Sequence, residues 1–197
     1  MPGWFRRVRH RAHHRIASRI VEGVAIVPEG SAAKSARVRA TMLATTAAVL
    51  AVDQVSKTLV LALHPAAGTS WLTVRLVRNT GANGGIGAGY PTLVTLVAVV
   101  IAAVAGGFAL RVRGRGIAIC LAAVVGGALG NLSDRLLRAP GFGRGGVVDW
   151  IHIAVINGSF NVADLAIQLG VLGTVIAMLA AERTGKASQR QQHVNSG

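Results

Sequence analysis

The chain has 197 residues, a mean hydropathy of +0.52, 14% charged side chains and 4% aromatic ones, which makes it far more apolar and less charged than an average soluble domain. So short a chain has no soluble core large enough to hide that surface, and a protein embedded in lipid is expected. Its net charge of +14 would point to nucleic acid in a soluble protein, but the placement of the basic residues along the chain marks one side of a membrane instead.

Residues 1–40 form a basic N-terminal extension. It opens with Trp4, Phe5, Arg6 and Arg7, and no apolar segment of signal-peptide type follows directly. It reads as a retained tail, solvated or lying on the membrane surface, in preference to a nucleic-acid arm, both readings resting on charge alone. Four apolar stretches follow, at about 41–63, 91–110, 117–137 and 162–181, each close to the ~20 residues that cross a hydrocarbon core. Between the first two, Trp71 to Val77 alternate Leu72, Val74 and Leu76 with Thr73 and Arg75, which predicts a short strand pair or cradle. The glycine-rich run from Gly81 to Gly89 predicts a flexible loop. The segment Arg138 to Gly146, with five Gly/Pro residues, predicts a mobile lid. From Glu182 to the end the composition predicts a disordered tail. The fold class expected is therefore an all-α membrane protein of four transmembrane helices with a small extracytoplasmic β-cradle and a loop acting as a lid.

With the N-terminus in the cytoplasm, nine Lys/Arg precede Thr41, three (Arg111, Arg113 and Arg115) join the second and third spans, and three follow Ala181. Only Arg75, Arg78, Arg138 and Arg144 fall in the two outside segments. Fifteen against four satisfies the positive-inside rule with both termini cytoplasmic.

Cys120 lies mid-span among Ala, Ile and Leu, so packing is its expected role. The histidines are scattered without metal-ligand spacing, and no zinc site is expected. The informative residues are polar ones inside the spans: Asp53 with Lys57 in the first, Asn131 with Asp134 and Arg135 in the third, and Asp164 with Gln168 in the fourth. An ionised group at a helix centre costs roughly 2.5 to 3.5 kcal/mol on insertion scales, so these should face one another and not lipid. Asp53 and Lys57 share a face, one turn apart. The third span runs outward and the fourth inward, so Asn131, Asp134, Arg135, Asn161 and Asp164 converge near the outer leaflet, with Asp149 in the loop between.

Two close carboxyls sharing a proton would let one take a proton from water while the other donates to a carbonyl oxygen, and two of the four aspartates outside the flanks would form such a pair. If Asn161 caps the fourth helix, Asp164 sits in its first turn, where the helix dipole favours the charge; Asp164 is then expected to be ionised and Asp149 to hold the proton. A proton- or cation-coupled transporter would also place such groups in a small bundle, but the polar residues gather toward one leaflet and no inverted repeat is apparent. A non-catalytic membrane adaptor would use the small residues Gly126, Gly127, Ala128 and Gly130 for close packing and would leave the aspartates unexplained.

The ordered segments Asp53-Gln54-Val55-Ser56-Lys57, Arg78-Asn79-Thr80-Gly81-Ala82, Gly130-Asn131-Leu132-Ser133-Asp134-Arg135, Val147-Val148-Asp149-Trp150 and Phe160-Asn161-Val162-Ala163-Asp164 resemble the motif set of the lipoprotein signal peptidases, over about residues 41–181. The resemblance implies an enzyme of the bacterial cytoplasmic membrane that removes the signal peptide from a prolipoprotein just before a diacylglyceryl-modified cysteine. It would act without metal or organic cofactor, as a monomer, with membrane lipid and no nucleic acid as its surroundings. By the same matching, Asp149 and Asp164 would be the catalytic pair, Asn79 and Arg135 would hold the substrate backbone, and Gly81, Asn131, Asp134, Asn161, Asp53 and Lys57 would support the site. One departure is plain: after Gly81 the family continues with small residues and a Phe, where this chain reads Ala82-Asn83-Gly84-Gly85-Ile86.

Overall fold

The computed structural model describes residues 32–82, 85–112 and 114–194. Four long helices, α1 (Ala32–Leu63), α2 (Pro91–Arg111), α3 (Arg115–Leu137) and α4 (Val162–Val194), carry a small sheet at one end of the bundle. Each contains a stretch long and apolar enough to cross a membrane, at Ser35–Leu63, Pro91–Arg111, Arg115–Leu137 and Val162–Ala181. Most of their apolar side chains face outward, as lipid contact requires: Leu43, Leu59, Leu96, Val100, Leu169 and Ile176 are all more than half exposed.

Two boundaries differ from the sequence reading. Helix α1 begins at Ala32, nine residues before Thr41, and residues 1–31 lie outside the described part. Helix α4 continues thirteen residues beyond Ala181 to Val194, where a disordered tail was expected. Polarity suggested disorder there, but Ala, Glu, Arg, Lys and Gln are also good helix formers, and an existing helix extends without a new nucleation step.

Helix α3 is the hub. Its small residues bring the other helices in close: a Cβ at Gly126 would lie 2.8 Å from the Val49 Cβ of α1, and one at Gly127 would meet the Ala163 carbonyl and lie 2.9 Å from Ile167 Cγ1 of α4. Close approach through small residues is how helices gain contact where lipid supplies no hydrophobic drive. Near the other end of the α3–α4 contact, a Cβ at Gly173 would lie 2.7 Å from the Cys120 Sγ, in keeping with a packing role for that thiol.

The sheet is antiparallel in the order β1 (Ala67–Gly68), β2 (Leu72–Asn79), β3 (Val147–Ile153), β4 (Gly158–Phe160). The alternating segment near Trp71 is indeed a strand, but its main partner is β3, about seventy residues away in the chain. Between the pairs Val74–Ile151 and Val77–Asp149 the register shifts, so Arg75 and Leu76 together oppose Trp150. Such a bulge sharpens the twist and re-aims side chains. A 3₁₀ turn, Ala154–Ile156, and the left-handed Asn157 (φ 46°) return the chain into β4, which leads directly into α4.

The loop after α3, expected to be a lid, makes hydrogen bonds to α2, to the end of α3 and within itself. Gly145 N–H donates to Arg135 O (3.0 Å), Gly146 N–H to Ala139 O (3.3 Å), and the buried Thr95 hydroxyl of α2 to Gly143 O (2.8 Å). Glycine makes the closure possible, since a Cβ at Gly145 would lie 2.8 Å from Arg138 O. The loop closes off the last turn of α3, whose carbonyls would otherwise lack partners.

Sheet and bundle meet at a buried ionic cluster. Lys57 Nζ of α1 lies 2.8 Å from Asp53 Oδ2 and 2.9 Å from Asp134 Oδ2 of α3, with all three side chains 0% exposed. The lysine also donates to Asn131 Oδ1 (3.0 Å). Asp134 accepts from Arg138 Nε (2.5 Å), and its Oδ2 accepts the Val148 N–H of β3 (3.1 Å). Asp53 Oδ1 accepts the Ala163 N–H at the start of α4 (2.9 Å). One cluster thus pins α1, α3, α4 and β3 together. Removing one partner of a buried ion pair leaves the other charge uncompensated, at a loss of about 3–5 kcal/mol. Lys57→Met is expected to lose about that much stability, read as a fall in unfolding midpoint in detergent; an unchanged midpoint would show that the cluster does not hold the bundle.

Candidate active site

Above that cluster, four segments converge on two carboxyls. Asp149 comes from the middle of β3 and is 1% exposed. Its Oδ1 accepts from Asn161 Nδ2 (2.7 Å) and its Oδ2 from Asn79 Nδ2 of β2 (3.0 Å). Asp164 stands in the first turn of α4 and is only partly buried, so it faces whatever enters the site. Its Oδ1 accepts from Asn131 Nδ2 of α3 (2.8 Å) and its Oδ2 from the Asn161 backbone N–H (3.2 Å).

Asn161 explains the local geometry. Its Oδ1 accepts the Asp164 N–H (2.9 Å) while Asp164 returns a bond to the Asn161 N–H, a reciprocal cap at positions N-cap and N3 that satisfies two otherwise unpaired donors. The Asn161 amide N–H₂ is left to reach Asp149 and Asn131 Oδ1 (3.0 Å). Capping the helix and joining the two carboxyls are therefore done by one fully buried residue, whose side-chain amide holds Asp149 and whose backbone N–H holds Asp164. Gly130 gives Asp53 its place beneath them: a Cβ there would lie 2.5 Å from Asp53 Oδ2 and 3.4 Å from the Ala163 Cβ.

Burial first, and then the negative charge of Asp164, push the Asp149 carboxyl up from 3.8 to about 6, against the opposing effect of the Asn79 and Asn161 amides and of Lys57. A carboxyl so shifted stays protonated to far higher pH than an ordinary aspartate.

The structure brings together Asp53, Lys57, Asn79, Gly81, Asn131, Asp134, Arg135, Asp149, Asn161 and Asp164, whereas Gln168, expected to turn inward with them, is exposed on α4. Two of the gathered residues are bonded within the protein itself. Asn79 is engaged with Asp149 and, through its Oδ1, with the Gly81 N–H (3.0 Å). Arg135, 5% exposed, donates to Gly81 O (2.6 Å) and Thr80 O (3.4 Å); it holds the protein's own backbone at the mouth of the glycine-rich loop. Arg135, Gly81, Asn79 and Asp149 form one hydrogen-bonded chain. Gly81 is fixed by crowding, since a Cβ there would lie 2.5 Å from Gly85 O and 2.6 Å from Ile86 O. The described part of that loop is tied by Ala82 N–H to Ile86 O (2.6 Å) and Ile86 N–H to Ala82 O (2.8 Å), tighter than its glycine content suggested; residues 83 and 84 lie outside the described part.

Three contributors escaped the sequence reading. Gln54 donates to Asp53 Oδ2 (3.1 Å) and Gly130 O (3.0 Å), and its amide depth in the span beside Asp53 was the available signal. Arg138, bonded to Asp134, caps the C-terminal end of α3 at the i, i+4 spacing that marks an ion pair on one helix face. His152 lies on β3 two residues beyond Trp150 and so shares a face with it.

The chain resembles known proteins along most of its length. The sequence profile described as "Signal peptidase (SPase) II" matches residues 45–180. The chain is similar to the lipoprotein signal peptidases of Leifsonia xyli (34% identical, covering 76% of this chain and 70% of that protein) and Mycobacterium avium (36%, covering 68% and 76%). It is 41% identical to that of Streptomyces coelicolor over 56% of this chain, which spans about half (52%) of the relative's length. Two solved bacterial membrane enzyme structures, both 26% identical, superpose with TM-scores of 0.63 and 0.60, covering 72% and 71% of this chain and 88% and 93% of theirs. The chain belongs to the signal peptidase II family.

Proposed function

We propose that this protein removes signal peptides from prolipoproteins, cutting just before the lipid-modified cysteine, with Asp149 and Asp164 activating water between them. The observation that carries the reading is the single buried Asn161, which binds both carboxyls and leaves Asp164 the more open of the two. In the cycle, Asp164 takes a proton from water as the water oxygen attacks the scissile carbonyl carbon. Asp149 gives its proton to the carbonyl oxygen, producing a neutral gem-diol. Collapse of the diol returns a proton to Asp149, Asp164 passes its proton to the departing nitrogen, and the C–N bond breaks; the dyad ends as it began.

Charge balance supports one shared proton. The cluster and dyad contain four acids (Asp53, Asp134, Asp149, Asp164) and three cations (Lys57, Arg135, Arg138). One proton on the pair makes three negative charges against three positive, the neutral arrangement that a low-dielectric interior favours. The distribution of Lys and Arg supports cytoplasmic termini, with the sheet and dyad at the outer leaflet of the cytoplasmic membrane. There the cleavage site of a lipid-anchored substrate would be held at the depth of the carboxyls.

The test is cleavage of a diacylglyceryl-modified prolipoprotein by the purified protein in detergent or lipid. Asp149→Asn and Asp164→Asn, each still folded, are expected to cut about a thousandfold more slowly or not at all; full activity in either would remove it from the mechanism.

The pH dependence of stability checks the protonation state separately. Because the folded protein holds the Asp149 proton to about pH 6 and an unfolded chain does not, that contribution is whole below about pH 4 and is lost as pH rises through about 6. Asp149→Asn cannot ionise. Its stability relative to the wild-type protein is therefore expected to improve between pH 4 and pH 8 by on the order of 2–3 kcal/mol, followed by unfolding midpoints in detergent. A difference that does not change with pH would mean that Asp149 titrates as an ordinary aspartate.

A further inference from the structure

On the face of β3 opposite Asp149, one histidine is held by two neighbouring strands. Strand residues alternate faces, so His152, three positions from Asp149, points away from the dyad. The His152 side is 7% exposed, and its Nδ1 lies 3.0 Å from Arg75 Nη2 of β2 and 3.2 Å from Ser159 Oγ of β4. A guanidinium has only donors. The Arg75 contact therefore requires an unprotonated Nδ1, and the ring is the neutral tautomer with its proton on Nε2.

We propose that His152 is a positioning residue for the dyad: a proton-sensitive clasp that in its neutral form holds the bulged part of β2 against β3. A proton added to Nδ1 changes the partners. The new N–H cannot face the Arg75 guanidinium, whose charge it now repels, but it can donate to the Ser159 hydroxyl oxygen. The bond to β2 is lost, and the existing bond to β4 reverses, the ring now donating to Ser159 Oγ. No covalent bond changes; one proton is taken from solvent, and one of the two hydrogen bonds at Nδ1 is given up. The groups facing the ring are Arg75 from β2 and Ser159 from β4, and among the described residues no helix side chain bonds to it. The nearest carboxyl on its own strand, Asp149, is on the other face.

The clasp acts on the site through the strand it secures. Arg75 stands in the bulge just before the pairs Val77–Asp149, Arg78–Val148 and Asn79–Val147, and it is the register of those pairs that brings the Asn79 amide to Asp149 Oδ2. Loss of the Arg75 contact frees the bulge and loosens that register. Ser159, the partner kept, lies two residues before Asn161, the α4 cap. This deepens the proposed activity and rests on it only for its consequence; the clasp itself is a statement about β2.

Hydrogen–deuterium exchange of the full-length protein in detergent, followed by mass spectrometry at pH 5 and pH 8 and corrected for intrinsic rates, tests it without any cleavage assay. In the wild-type protein, peptides covering Leu72–Asn79 are expected to lose protection several-fold at pH 5 while α3 peptides do not. His152→Asn keeps an acceptor for Arg75 and cannot take the proton; Arg75→Gln can donate to neutral His152 or accept from the charged ring. Both variants are expected to show equal β2 protection at the two pH values. Wild-type protection that is independent of pH, or an acid-induced loss equally large in His152→Asn, would overturn the proposal. The dyad assignment stands or falls on cleavage alone, so failure of one leaves the other readable.

Discussion

Everything at the sheet end of the bundle depends on one lysine that neither water nor lipid reaches. Lys57 is stable as a cation there only because Asp53 and Asp134 lie within 2.9 Å of it, and those carboxylates are tolerable only because of it. Each also has a structural errand: Asp53 accepts from the start of α4 and Asp134 from the backbone of β3. The charges are thus spent on alignment. Apolar residues of similar size could fill the space, but they could not fix the rotation of α1 against α3 or tell β3 where to attach.

The upper polar layer repeats this logic with amides. Asn79, Asn131 and Asn161 each present a donor to a carboxylate oxygen, and an amide adds direction without adding charge. Lys57 and Asn131 connect the layers, so the dyad sits at the end of a continuous polar network that begins deep in α1. Around it, the glycines of α3 hold the helices close enough for short side chains to meet.

Much of this was legible in the sequence because lipid makes polar residues expensive. The four spans were apparent as apolar runs, and Asp53, Lys57, Asn131, Asp134, Arg135 and Asp164 were conspicuous within them or at their ends. What stayed hidden depended on pairing across long separations. The alternation near Trp71 announced a strand, but nothing local announced that its partner would be Val147–Ile153. The task of Arg135 was hidden for a related reason: its partners are backbone carbonyls of Thr80 and Gly81, and a carbonyl has no letter in the sequence. The tail after Ala181 was misread because polarity was taken for disorder, although helix propensity there favours continuing α4. The anchoring of the loop at Arg138–Gly146 was not legible, because glycine there also gives room for a backbone to settle onto a helix end.

The reciprocal cap at Asn161 ties the assembly of the site to the birth of a helix. The first turn of α4 and the meeting of the two carboxyls share two residues, Asn161 and Asp164, so neither can form halfway without the other. An inhibitor that wedged the carboxyls apart would have to unwind that turn, while one that bridged them would tighten it. The protection of a few backbone amides near residue 164 would then report occupancy of the site, giving a readout for ligands that never undergo cleavage.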